Sequence, residues 1–107
     1  MWKVEYLKAA VADLKKLDRS QRVEVFKKID RTAENPLPQS EGGYGEPLGN
    51  TKIAQLAGYC KIKLLKLGLR VVYRLEMKGE TMRIIVVSAR TDEEVYKIAQ
   101  KRKHQKE

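Results

Sequence analysis

Lys61, Lys63, Arg70 and Arg74 punctuate the strand segments of GYCKIKLLKLGLRVVYRL, which reads as two strands and a turn. Side chains alternate across a strand, so Ile62 and Leu64 point one way while Lys61 and Lys63 point the other. In the next segment Leu69, Val71, Tyr73 and Leu75 supply an apolar side, and Arg70, Val72, Arg74 and Glu76 the opposite one. A short loop centred on Lys66 and Leu67 sets Lys63 opposite Arg70, because facing residues of an antiparallel pair share a face. A second hairpin closing at Lys78 and Gly79 pairs Tyr73 with Ile84 and Val71 with Val86, and sets Arg74 against Arg83. Like charges facing one another across strands destabilise a sheet. Singly, each of these residues is an ordinary solvating side chain. As a set with little acidic relief they point to an anionic ligand, and phosphate fits best, since Arg binds it bidentately and Lys offers a compact charge.

The rest of the composition narrows the chemistry. A net charge of +9 on 107 residues exceeds what solubility asks for and makes nucleic acid the leading partner. His104 is the one histidine and lies in a charged tail, so no His-based acid and base pair exists. Cys60 is the one cysteine, which excludes an internal disulfide and a cysteine zinc site and fits a small residue of the core. No HExxH occurs, and the glycines of EGGYGEPLG lack the flanking strand and helix of a phosphate loop. A nuclease made from these residues has to work with Lys, Arg and Tyr, without a metal or other cofactor. No segment has the character of a secretory signal or the roughly 20 apolar residues of a membrane span, so a cytoplasmic protein is expected.

The elements that must hold these cations follow from periodicity. Trp2, Val4 and Tyr6 alternate with Lys3 and Glu5 as a first strand, 2–6. Ala10, Val11, Leu14 and Leu17 carry the stripe of a helix, Asp18 and Gln21 form a capping box, and Val23, Phe26, Ile29 and Ala33 continue a second helical stripe. ENPLPQSEGGYGEPLGN holds all three prolines and reads as a long loop. YCKIKLL, LRVVYRLEM and TMRIIVVS then make a three-stranded antiparallel meander. Thr91 and Glu94 cap a last helix along Val95, Ile98, Ala99 and Arg102, which frays into KRKHQKE. The order predicts one α+β domain over 1–107: an N-terminal strand, a helical hairpin, the meander and a C-terminal helix, with the helices packed on one sheet.

YCKIKLLKLGLRVVYRL followed by RIIVVSARTDEEVY, with LKKL in the helical hairpin and PLGN before the sheet, resembles the RelE branch of the RelE/ParE toxin superfamily. The likeness runs over nearly the whole chain, although the KIKL and RVVY elements also occur in gyrase-directed ParE relatives. It implies the toxin of a type II toxin–antitoxin pair, an mRNA endonuclease that works on the ribosome without metal, with a ParE-like gyrase inhibitor as the alternative and a non-catalytic RNA- or ribosome-binding module as a third. It makes Lys61, Lys63, Arg70, Arg90 and Tyr96 the catalytic set, with Arg74, Arg83, Lys97, Lys101 and Arg102 as further RNA contacts. Lys63 or Tyr96 takes the proton, Arg70 and Lys61 stabilise the phosphate, and Arg90 serves the leaving oxygen. Clustered cations are expected to lower neighbouring ammonium or phenol pKa values. The partners implied are a cognate antitoxin and the ribosome with bound mRNA, with operator DNA as a ligand of the toxin–antitoxin complex. The glycine-rich loop and the basic tail after Tyr96 depart from the family pattern.

Overall fold

The computed structural model describes residues 1–105, so the last two residues of the charged tail lie outside the described ones. Strand β1 (Lys3–Tyr6) leads into helices α1 (Lys8–Lys15) and α2 (Arg19–Thr32). Strands β2 (Glu46–Asn50), β3 (Gln55–Leu64), β4 (Leu69–Glu76) and β5 (Thr81–Ser88) follow, and α3 (Asp92–Lys101) closes the chain. The sheet has five strands in the order β1-β5-β4-β3-β2. β1 runs parallel to β5 and the other pairs are antiparallel. The predicted α+β architecture is therefore present, with the meander lengthened by one strand.

That strand, β2, was expected to be loop. Pro47 and Gly49 disguise it: proline lacks a ladder donor and glycine weakens a strand, but both are tolerated at a sheet edge. Here β2 is the edge, and its pairing with β3 shifts register between Pro47 and Gly49.

The helical hairpin forms with the expected capping box: Gln21 N–H donates to Asp18 Oδ1 at 2.8 Å and Asp18 N–H to Gln21 Oε1 at 3.1 Å. Its buried stripe keeps the predicted Ile29 and Ala33 but is rotated in the N-terminal half. Val25, Ile29 and Thr32 are buried on α2, while Val23 and Phe26 are about two-fifths exposed. Val25 to Ile29 to Thr32 follows i, i+4, i+7 as well as the predicted set does, and the sheet selects it. On α1, Ala10 and Leu14 are buried and Val11 faces outward.

Two registers match the hairpin reading: Lys63 faces Arg70, and Arg74 faces Arg83 with Tyr73 beside Ile84. Val71, however, faces Val87, and Val72 faces Val86. One extra residue on β5 makes a bulge at this point, and alternation read from sequence cannot anticipate it. Val71, Val72 and Tyr73 are all fully buried, so both faces of the sheet are covered. Tyr6 lies in register with Ile84 and meets the Phe26 ring edge-on at 6.1 Å, placing α2 over the Tyr73 face. Lys61 projects from the other face and reaches Tyr96, placing α3 there.

Candidate phosphate site between sheet and helix

Local rules fix the helix that meets the cations. Thr91 Oγ1 accepts from Glu94 N–H at 3.3 Å, and Asp92, Glu93 and Glu94 load the first turn with acid, where the helix dipole favours it. Val95 and Ala99 are buried, anchoring α3 on the sheet. This phase brings Tyr96 over β3 and Asp92 over the Lys63–Arg70 pair.

Three cations converge on Asp92. Lys61 Nζ lies 3.0 Å from Oδ2, Lys63 Nζ 3.8 Å from the same oxygen, and Arg70 Nε donates to Oδ1. Arg70 also donates through Nη1 to the Arg90 carbonyl at 2.7 Å, tying β4 to the turn before α3. Lys61 Nζ donates to Tyr96 Oη at 2.6 Å, pairs with Glu46 of β2 at 3.1 Å and sits 5.2 Å from the Tyr96 ring centre. Arg90 extends outward, 65% exposed, to Glu94 at 3.2 Å. Of the expected catalytic set, Lys61, Lys63 and Arg70 meet at one carboxylate and Tyr96 touches Lys61, whereas Arg90 joins only through its backbone carbonyl, its side chain turned to Glu94.

Lys61 departs from its expected setting. It is not on a solvated face: its side chain is 7% exposed. Burial by itself favours the neutral amine, but hydrogen bonds to Tyr96, Asp92 and Glu46 outweigh it and raise the pKa above the ordinary lysine value. The expected lowering of ammonium pKa by crowded cations is thus reversed at this residue. Asp92 is held below its usual value: burial opposes ionisation, and the hydrogen bonds from Lys61 and Arg70 overcome it.

Two carboxylates supply the acidic relief that sequence reading found lacking. Asp92 and Glu46 went unnoticed because a first-turn aspartate is explained by helix capping alone, and Glu46 sat in an apparent loop. The signal available was the Thr91 cap, which fixes Asp92 as the first helical residue.

The further RNA contacts expected from sequence separate. Arg74 and Arg83 lie at the other end of the same sheet face, where Glu76 accepts from both and Glu5 accepts from Arg83 at 2.9 Å. Arg102 binds Asp13 at 2.7 Å and the Ile85 carbonyl at 2.9 Å, pinning the end of α3 to α1 and β5. Lys97 pairs with Glu93 on the helix surface at 3.3 Å, and Lys101 is exposed. Among the described residues no three of His, Cys, Asp or Glu cluster so as to hold a metal ion, and no helix is long and apolar enough to cross a membrane.

Comparison with known proteins agrees with this fold. The isolated E. coli RelE toxin is 24% identical, with a TM-score of 0.69 over 95% of this chain and 98% of that one. A doubly substituted E. coli RelE toxin in the free state is 25% identical, with a TM-score of 0.75 over 94% and 96%. The RelBE2 toxin–antitoxin complex of Mycobacterium tuberculosis is 24% identical, with a TM-score of 0.55 over 83% and 98%. Among curated protein sequences there is no significant match. The family model for the ParE toxin of the type II toxin–antitoxin system parDE matches residues 4–96. The chain belongs to this toxin family, within the RelE/ParE superfamily.

Proposed function

We propose that the chain is the toxin of a type II toxin–antitoxin pair and cleaves mRNA on the ribosome with its own side chains. The observation that carries this reading is the convergence of Lys61, Lys63 and Arg70 on one carboxylate beside the Tyr96 hydroxyl. A carboxylate with cations on both oxygens has the charge and hydrogen-bonding pattern of a phosphodiester's two free oxygens. Substrate phosphate takes that place when Asp92, 36% exposed on the first helical turn, turns aside.

In the proposed reaction the ribose 2′-oxygen attacks the adjacent phosphorus. The new P–O2′ bond forms as the P–O5′ bond breaks, leaving a 2′,3′-cyclic phosphate and a 5′-hydroxyl. Lys61, held as the ammonium, and Arg70 stabilise the charge that grows on the phosphate oxygens. Lys63 or Tyr96 takes the 2′ proton. The hydrogen bond from Lys61 holds the Tyr96 oxygen at the edge of the cation cluster. Arg90 is exposed enough to reach the leaving oxygen and offset its charge, and that oxygen takes a proton from water to end as the 5′-hydroxyl. The ribosome supplies the in-line geometry, so free RNA is a poor substrate.

A cognate antitoxin restrains the toxin, and the complex of the two binds operator DNA. Solved relatives of this fold include toxin–antitoxin complexes, which supports the first of these. Inhibition of DNA gyrase is the second reading, favoured by the parDE description of the matching family model. Mapping of mRNA 5′ ends after induction separates the two. Discrete cuts inside translated frames are expected, whereas intact mRNA with gyrase-linked DNA breaks overturns the nuclease reading.

A further inference from the structure

The glycine-rich segment before β2 presents one aromatic ring to solvent on a tightly fixed backbone. Tyr44 is 49% exposed. Its flanking glycines are pressed into the body: a Cβ on Gly43 would lie 2.0 Å from the Leu37 carbonyl oxygen, and one on Gly45 2.1 Å from the Tyr73 hydroxyl. Tyr44 N–H donates to the Asn35 carbonyl at 2.9 Å, Gly45 N–H to Leu37 at 3.0 Å and Gln39 N–H to the Gly45 carbonyl at 2.7 Å. The segment is therefore a mount and not a slack loop. A buried tyrosine would lend such a mount packing energy, yet this ring contributes little to the core.

Tyr44 lines a concavity of about 200 Å³ together with Lys28, Glu46, Lys61 and Lys63. Two of these lysines belong to the cation cluster at Asp92, and Glu46 contacts Lys61 directly. An exposed aromatic ring beside a lysine-lined concavity is an arrangement by which proteins hold single-stranded nucleic acid, with the base on the ring and the backbone on the cations.

We infer that Tyr44 is a stacking platform for the nucleobase next to the cleaved phosphate. This rests on the nuclease reading and adds a subsite to it. The ring takes any base, since every base has a π-face, and it helps to hold one nucleotide splayed while the neighbouring phosphate meets Lys61 and Lys63. Tyr44 is a positioning residue: it touches the base and not the reacting atoms.

The test is single-turnover cleavage on programmed ribosomes at varied toxin concentration, using ordinary mRNA and mRNAs abasic at the nucleotide on either side of the cut. On ordinary mRNA, Tyr44→Ala should raise the half-saturating concentration about 5- to 100-fold, as expected for one lost base stack, with the saturating rate nearly unchanged. Tyr44→Phe and Tyr44→Trp should stay near the parent. One of the two abasic mRNAs should cost the parent a similar factor and cost Tyr44→Ala nothing more. An unchanged half-saturating concentration for Tyr44→Ala overturns the inference, as does an equal loss on all three mRNAs, which would assign the ring to the ribosome. A parent that cleaves no mRNA removes the nuclease reading and this subsite together, while a cleaving parent indifferent to Tyr44→Ala removes the subsite alone.

Discussion

One face of the sheet carries two facing pairs of cations, and they are resolved in opposite ways. At the Arg74–Arg83 end, glutamates from neighbouring strands interleave with the arginines: Glu76 binds both, and Glu5 binds Arg83. Charges are matched locally, and Arg83 is only 15% exposed. At the Lys63–Arg70 end the acid comes from other elements: Asp92, on the first turn of α3, serves three cations, and Glu46 of β2 joins it only at Lys61. The first cluster has the balance of a structural network. The second has a cationic surplus around a replaceable anion, with a tyrosine hydroxyl beside it. Sheet patterning alone thus does not say which repelling pair is a ligand site; the source and number of the counter-ions do.

The comparison breaks most sharply at the chemistry. Tyr96→Phe keeps the ring and removes the oxygen that Lys61 touches, and should slow single-turnover cleavage by about 100- to 10,000-fold with ribosome binding unchanged. Cleavage within threefold of the parent would take Tyr96 out of the reaction. Arg70→Ala should cost about 100- to 1,000-fold in the same assay, the scale of one lost oxyanion contact, while the melting temperature falls only by a few degrees for the lost ties to Asp92 and the Arg90 carbonyl. A melting temperature many degrees lower would place Arg70 with the structural pair.

The mirror experiment is Arg83→Ala. It leaves Glu76 with Arg74 and Glu5 with Lys3 but removes the largely buried guanidinium that links them, and a loss of about 1–3 kcal/mol is expected from its lost packing and hydrogen bonds, lowering the melting temperature by about 5–20 °C. Cleavage per folded molecule should persist. If Arg83→Ala instead abolishes cleavage at unchanged stability, the two clusters are one RNA surface.

This division was partly legible in the residues. The facing of Lys63 with Arg70 and of Arg74 with Arg83 follows from strand alternation and turn position, and both registers are present. What alternation cannot supply is a bulge, so Val71 was assigned to Val86 when it meets Val87. Nor can it supply contacts between residues far apart in the chain. Lys61 and Asp92 are 31 positions apart, and only the docking of α3 makes them partners. For the same reason Lys61 looked like a solvated lysine and is a buried one. β2 escaped because its Pro47 and Gly49 are breakers in most contexts and harmless on an edge. Arg102 is similar: its place in the helical stripe was visible, but its tie to Asp13, 89 positions earlier, was not.

Acid should separate the clusters more gently. The hydrogen bonds from Arg83 and Arg74 hold the Glu76 carboxyl down at about 2. A depressed carboxylate stabilises the fold fully above its unfolded value, about 4.3, and that contribution fades as pH falls toward 2. With solvent screening allowed for, on the order of 1–2 kcal/mol is at stake. Urea unfolding of Glu76→Gln should show a shallower loss of stability between about pH 5 and pH 2 than the parent. Identical slopes would mean that the pair is not formed in solution.

The smallest expected effect is at Asp92. Asp92→Asn leaves the Thr91 cap in place but removes the charge the three cations share, with Glu46 still on Lys61, and should lower the melting temperature by about 2–5 °C at low salt. Inorganic phosphate should recover more of that loss than it adds to the parent, because it then meets no competing carboxylate. Equal phosphate shifts in both proteins would show that the cations do not bind an oxyanion in Asp92's place.

The ends of the cut RNA report the chemistry of this cluster. Purified toxin acting on programmed ribosomes should leave a 2′,3′-cyclic phosphate and a 5′-hydroxyl at each cut, and Lys61→Met should lose that product while remaining folded, since an apolar chain of similar length can fill the space of the buried lysine. Intact mRNA with the parent protein, or cuts that persist at the parent's rate in folded Lys61→Met, would contradict the assignment of this cluster to phosphate chemistry.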